Sequence, residues 1–240
     1  MGTETVYEFP SAGVSKTPEE LSAEILKSLR RDAVSRIGKE VRDVVVTVPA
    51  AFSMVQCEAT KKAATMAGFR NVLLLQEPIA ASIAYGAKPD AKDQYWLVFD
   101  YGGGTLDVSV ISTNNGRLDN ITSVGNNHKG GKDLDRLLFE KVIVPKLSGD
   151  YNLEGGLKNS SRAKLLPFVE NCKMELTNAE SVDLEVFDVT DNAGELMDGI
   201  YEISRAEFED VIRDEVAEAI EIAKEALQKS GIPEDKFTKL

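Results

Sequence analysis

The segment Val98-Phe99-Asp100-Tyr101-Gly102-Gly103-Gly104-Thr105-Leu106-Asp107-Val108-Ser109 narrows the possible folds more than any other stretch of the chain. Two β-branched and aromatic runs flank three glycines, so the chain must turn back tightly between two strands. Glycines there permit φ > 0 and bring backbone N–H groups close to a ligand, which suits an anionic phosphate. Along the returning strand alternate side chains share a face, so Thr105, Asp107 and Ser109 lie on one side, each about 7 Å from the next. Asp100 ends the first strand at the same tip. Two carboxylates and a hydroxyl converging on a glycine turn offer the hard oxygen ligands that Mg²⁺ and a polyphosphate take, often through water. Most glycine-rich turns beside an Asp are ordinary hairpins. Here Asp107 interrupts an otherwise apolar strand, and an unpaired buried carboxylate is costly. No Walker lysine motif is present, so P-loop chemistry is excluded.

Elements alternate along the chain, which points to an α/β fold. Thr17-Pro18-Glu19-Glu20 is a capping box with proline at the first helical position, and Leu21, Ile25, Leu29 and Ile37 continue an apolar stripe. Val44 to Val48 reads as a buried strand ended by Pro49. Ser53 with Gln56 opens a second helix, and Gly68 sits where a helix-terminating glycine belongs. A short strand over Val72–Leu75 leads into a helix begun by Glu77-Pro78, and the polar stretch from Pro89 to Gln94 is a boundary. Beyond the glycine hairpin, Asn115-Gly116 makes a second tight turn into a strand over Leu118–Val124. Helices over Asp133–Leu147 and Ser161–Leu176 follow, then a strand pair near Val182–Val189 and Met197–Tyr201. The last helix runs from Ser204, with Glu207 completing a capping box, to Gly231. Phe237 to Leu240 reads as the approach to a strand cut short.

Composition removes other classes. With 40 acidic and 28 basic residues and a net charge of −12, a nucleic-acid partner is not expected. No uninterrupted apolar run of membrane-spanning length occurs and no secretory signal is visible, so no membrane partner is expected, and the two reduced cysteines point to a cytoplasmic location. Cys57 and Cys172 lack metal or redox spacing and read as reduced thiols. His128 is the single histidine, which rules out multi-histidine metal sites and leaves it a loop residue beside Lys129-Gly130-Gly131.

The hairpin from Asp100 to Asp107 resembles the second phosphate hairpin of the actin/sugar-kinase/heat-shock-70 superfamily, and the surrounding segments resemble the DnaK-type (70-kDa heat-shock) chaperones. Val46-Thr47-Val48-Pro49-Ala50 is similar to the family's V-T-V-P-A. Gln76-Glu77-Pro78-Ile79-Ala80-Ala81-Ser82-Ile83-Ala84-Tyr85-Gly86 resembles N-E-P-x-A-A-x-x-A-Y-G. Gly130-Gly131-Lys132-Asp133-Leu134-Asp135 resembles G-G-x-D-F/L-D, and Glu170 to Thr177 its adenine-contacting helix. The segments stand in family order from about Thr17 to Leu240.

The resemblance implies an actin-like ATPase fold of two ribonuclease-H-like lobes, the first partial over residues 1–94 and the second nearly complete over 95–240. It implies ATP or ADP with Mg²⁺ as ligands. Asp100 and Asp107 would hold the metal through waters, and Gly102, Gly103, Gly104 and Thr105, with Gly130 and Gly131, would surround the phosphates. Glu77 would orient the attacking water; Glu170, Lys173 and Thr177, on one helix face, would line the adenosine; Pro49 would relay nucleotide state to a peptide-binding domain. A J-domain co-chaperone, a nucleotide-exchange factor and unfolded client peptides are the implied partners.

Departures bear on coupling. Ala51 to Cys57 stands where the family has Y-F-N-D-S-Q-R, losing an arginine at Cys57, and Met174 stands where some members stack an arginine on adenine. This motivates an alternative: a non-hydrolysing regulatory homologue that binds co-chaperones. The family's first phosphate hairpin and its second adenosine loop are expected before residue 1 and after Leu240. Each charge-assisted contact is worth about 1.5–3 kcal/mol. The chain alone is therefore expected to bind nucleotide weakly and not to turn it over.

Overall fold

The computed structural model describes residues 5–88, 90, 94–114, 116–154 and 156–239. The chain divides into two compact units that are discontinuous in sequence: residues up to 98, 109–123 and 229 onward in the first, and 99–108 with 124–228 in the second.

In the first unit, β1 (Tyr7–Phe9) and β2 (Val14–Lys16) pair antiparallel, a small ribbon the sequence pattern does not announce. Helix α1 (Pro18–Ile37) starts at the expected capping box: Thr17 accepts from the Glu20 N–H, and the Glu20 carboxylate accepts from the Thr17 N–H at 2.8 Å. Helix α2 (Met54–Met66) is capped the same way by Ser53 and Gln56, and Gly68 follows its end with φ 92°. Strands β3 (Asp43–Val48) and β4 (Asn71–Gln76) pair parallel, as a strand–helix–strand crossover requires. One face of this pair, Val44, Val46 and Val72, packs with Leu26 and Val41 around Ala64, Ala67 and Phe69. Helix α3 (Glu77–Ala84) begins directly at Glu77-Pro78.

Strands β5 (Gln94–Tyr101), β6 (Leu106–Asn114), β7 (Arg117–Asn126) and β10 (Phe237–Lys239) form one sheet in the order β10-β5-β6-β7. The C-terminal stretch thus does form a strand, pairing parallel to β5 after a short 3₁₀ turn at Glu234–Lys236. Two expectations fall partly outside the described residues: Asn115 of the second turn, where Gly116 keeps the left-handed φ of 77°, and most of the polar boundary at 89–94.

The second unit holds the larger core. The helix expected at Asp133 begins at Gly131, giving α4 (Gly131–Leu138), and it continues through a π segment at Phe139–Ile143 into α5 (Val144–Leu147). Helix α6 (Asn159–Glu175) and the antiparallel pair β8 (Ser181–Thr190) and β9 (Leu196–Ser204) pack with them around Leu138, Ile143, Leu165, Leu184, Met197 and Ile203, each at most 1% exposed. Helix α7 (Arg205–Ser230) starts where Ser204 and Glu207 cap it reciprocally. Both cysteines are free thiols, and burial pushes that of Cys172 up to about 11. Among the described residues no helix is long and apolar enough to cross a membrane, and no cluster of His, Cys, Asp and Glu could by itself hold a metal.

Candidate nucleotide-phosphate site

The tip of the β5–β6 hairpin is a four-residue turn closed by the Gly102 N–H donating to the Thr105 carbonyl at 2.8 Å. None of its three glycines has a positive φ, so the expectation that they serve left-handed torsions does not hold. They serve space. A Cβ built on Gly103 or Gly104 meets nothing within 4 Å, leaving the backbone open on that side. The opposite side is filled by backbone: a Cβ on Gly130 would lie 2.4 Å from the Gly104 nitrogen and 2.6 Å from its Cα. Gly130 has φ −173°, ordinary extended backbone, so glycine is required there for room alone. The Gly131 and Lys132 N–H groups donate to the Gly102 and Gly103 carbonyls, both at 2.9 Å. The start of α4 is thereby fastened to the turn, and the carbonyls of Gly102 and Gly103 are taken up.

The carboxylates flank this turn. Asp100 is exposed near the end of β5, and Asp107 is half-buried near the start of β6. Burial pushes the Asp107 carboxyl above its ordinary range, Asp100 pushes it further the same way, and the Thr105 hydroxyl bonded to it pulls it back. A like charge beside a carboxylate disfavours its ionised form, and a divalent cation there would reverse that. Behind them Gly125 of β7 passes so close that a Cβ would lie 2.6 Å from the Leu106 carbonyl and 3.0 Å from Asp107 Oδ1. The sequence reading missed Gly125; a glycine inside a strand pattern is the signal for such an approach. Ser109, two residues further along β6, is buried at 1% exposure and its hydroxyl hydrogen-bonds that of Ser123 at 2.8 Å.

Lys173 on α6 reaches the same region. Its ammonium lies 2.6 Å from Asp135 Oδ1 and donates to the Gly131 carbonyl at 3.4 Å. Asp135 Oδ1 takes no directed hydrogen bond, so this contact is charge attraction between half-buried groups. Glu170 and Thr177 are exposed at α6 and just past its end. The structure thus brings together Gly102, Gly103, Gly104, Thr105, Asp100, Asp107, Gly130, Gly131 and Lys173 in one unit. Glu77, half-buried as the first residue of α3, and Pro49, which closes a turn by accepting from the Phe52 N–H at 3.1 Å, belong to the other.

A glycine turn open on one side, backed by a second glycine pair and flanked by two carboxylates, is a candidate phosphate-and-cation site within an α/β fold. The family described as Hsp70 protein matches residues 2–239. A chaperone protein DnaK from Thermosipho africanus is 35% identical over 98% of the chain. The chain belongs to the Hsp70 family, with the actin-like ATPase fold of that family. It spans 39% of that relative's length.

Proposed function

We propose that the chain is the nucleotide-binding part of an ATP-dependent chaperone in which ATP binding and hydrolysis control peptide binding elsewhere in a longer protein. The observation that carries this reading is the open side of Gly103 and Gly104 beside the Asp100–Asp107 pair. Turn N–H groups and the Thr105 hydroxyl would receive the β- and γ-phosphates, and Asp100 and Asp107 would hold Mg²⁺ through waters. When bound, that ion neutralises charge developing on the phosphates. Glu77 would orient the attacking water from the rigid start of α3, Glu170, Lys173 and Thr177 would contact adenosine, and Pro49 would report nucleotide state. The assignment of residues 1–94 and 95–240 to two lobes belongs to the same reading. So do a cytoplasmic location and the partners: client peptides, a J-domain co-chaperone and a nucleotide-exchange factor.

Phosphate release from Mg-ATP by the full-length protein tests it. Wild type is expected to turn over, Glu77→Ala to keep Mg-ADP binding while losing about a hundredfold or more in rate, and Asp107→Asn to lose the Mg²⁺ dependence of binding. Wild-type turnover that is absent or indifferent to Glu77 would remove the ATPase reading and leave the regulatory homologue that the altered Ala51–Cys57 stretch motivates.

A further inference from the structure

Lys129 immediately precedes the two glycines that back the phosphate turn, and it is 3% exposed. Its ammonium meets the Glu215 carboxylate and, at 2.9 Å, that of Glu218, both on α7 and 86 or more residues further along the chain. Burying a lysine is unfavourable unless carboxylates face it, since the ammonium gives up its hydration. Here burial pushes its proton affinity down and the two glutamates more than restore it. Tyr101, at the end of β5, is part of the same cluster, with its hydroxyl buried and unpartnered. Two and three residues after Lys129, Gly131 and Lys132 donate the two N–H bonds that hold the Gly102 and Gly103 carbonyls.

We propose that Lys129 is a positioning residue for the phosphate turn: by engaging Glu215 and Glu218 it fastens the Gly130–Gly131 segment to α7 and so fixes the tip of the β5–β6 hairpin. The physical reason is geometric. Gly130 packs against Gly104 with no side chain between them, so a shift of the 129–132 backbone is passed directly to Gly103 and Gly104. A lysine held by two carboxylates on a helix of 26 residues makes α7 the reference frame for that contact. The function of the turn rests on the nucleotide reading above; the mechanical claim does not.

The experiment is amide hydrogen exchange at single-residue resolution on this chain, wild type against Lys129→Met, a substitution of similar length that removes the charge. Expected is a loss of protection of about tenfold or more at Gly131 and Lys132, with the β8–β9 amides unchanged. Equal protection at Gly131 and Lys132 in the two proteins overturns the proposal, and so does a uniform loss across the second unit, which would mark Lys129 as a plain stability residue. Should Lys129→Met fail to fold, Glu218→Gln leaves Glu215 in place and is expected to give the same local loss in smaller degree. In parallel, calorimetry of Mg-ADP and of adenosine with the full-length protein separates the two readings. Weakened Mg-ADP binding with unchanged adenosine binding supports the positioning role. Wild-type protein that binds neither counts against the nucleotide reading and leaves the exchange result to decide Lys129.

Discussion

At the scale of single residues, Gly130 and Asp107 carry the most specific expectations. Gly130→Ala forces a methyl into the Gly104 backbone, which cannot swing aside as a side chain could. It is expected to cost about 1–3 kcal/mol in urea denaturation, as overpacking does, and to displace the turn. Asp107 has the opposite sign. Its folded-state proton affinity is raised above the ordinary carboxylate value of 3.8, so its ionised form opposes folding. Wild type then loses stability relative to Asp107→Asn as pH rises from below 3.8 through the raised value, and the difference closes again on acidification. The variant is thus expected to be the more stable near neutrality and the poorer binder of Mg-nucleotide. Denaturation midpoints at acid and neutral pH check this, and a variant less stable than wild type at pH 7 would contradict it. The carboxylates and glycines of this turn were legible in sequence because the motif is contiguous. The purpose of the glycines was not, because the segment that packs against them, at Gly130, lies some 26 residues downstream.

At the scale of elements, the helix starts were the most readable features, since a capping box is local: Thr17 with Glu20, Ser53 with Gln56 and Ser204 with Glu207 all form as the spacing requires. Glu207 also pairs with Lys146 of α5 at 2.8 Å. Lys146 foremost, then the Ser204 N–H, bring its carboxyl down from 4.5 to about 2. A depressed carboxylate supports folding above its unfolded value and ceases to do so as pH falls. The stability lead of wild type over Glu207→Gln is therefore expected above pH 4.5 and should shrink as pH falls toward 2, read from thermal melts across that range. Solvent screening keeps the effect small, because Glu207 is 41% exposed. What local spacing could not show is the π segment at Phe139–Ile143, where packing of Phe139, Val142 and Ile143 into the core overrides the regular helix repeat.

At the scale of the whole molecule, the two units differ in how much apolar surface they bury. Among the described residues, seventeen buried ones form the core of the second, whereas β3 and β4 of the first pair only with each other and leave Val45 57% and Leu73 64% exposed. Opening free energy follows burial. Peptides from β3 and β4 are expected to exchange their amides at lower urea than those from β8 and β9, and simultaneous exposure of both would argue for a single cooperative unit. The sequence by itself determined the alternating α/β order, the helix caps, the glycine hairpin with its two acids and the family, because each is written in neighbouring residues or in a linear series of segments. Tertiary structure alone decided that Gly125 and Gly130 back the hairpin, that Lys173 meets Asp135, and that Lys129 is buried against Glu215 and Glu218. Those contacts join positions far apart in the chain, and their energy comes from desolvation and close packing, which exist only once the segments meet.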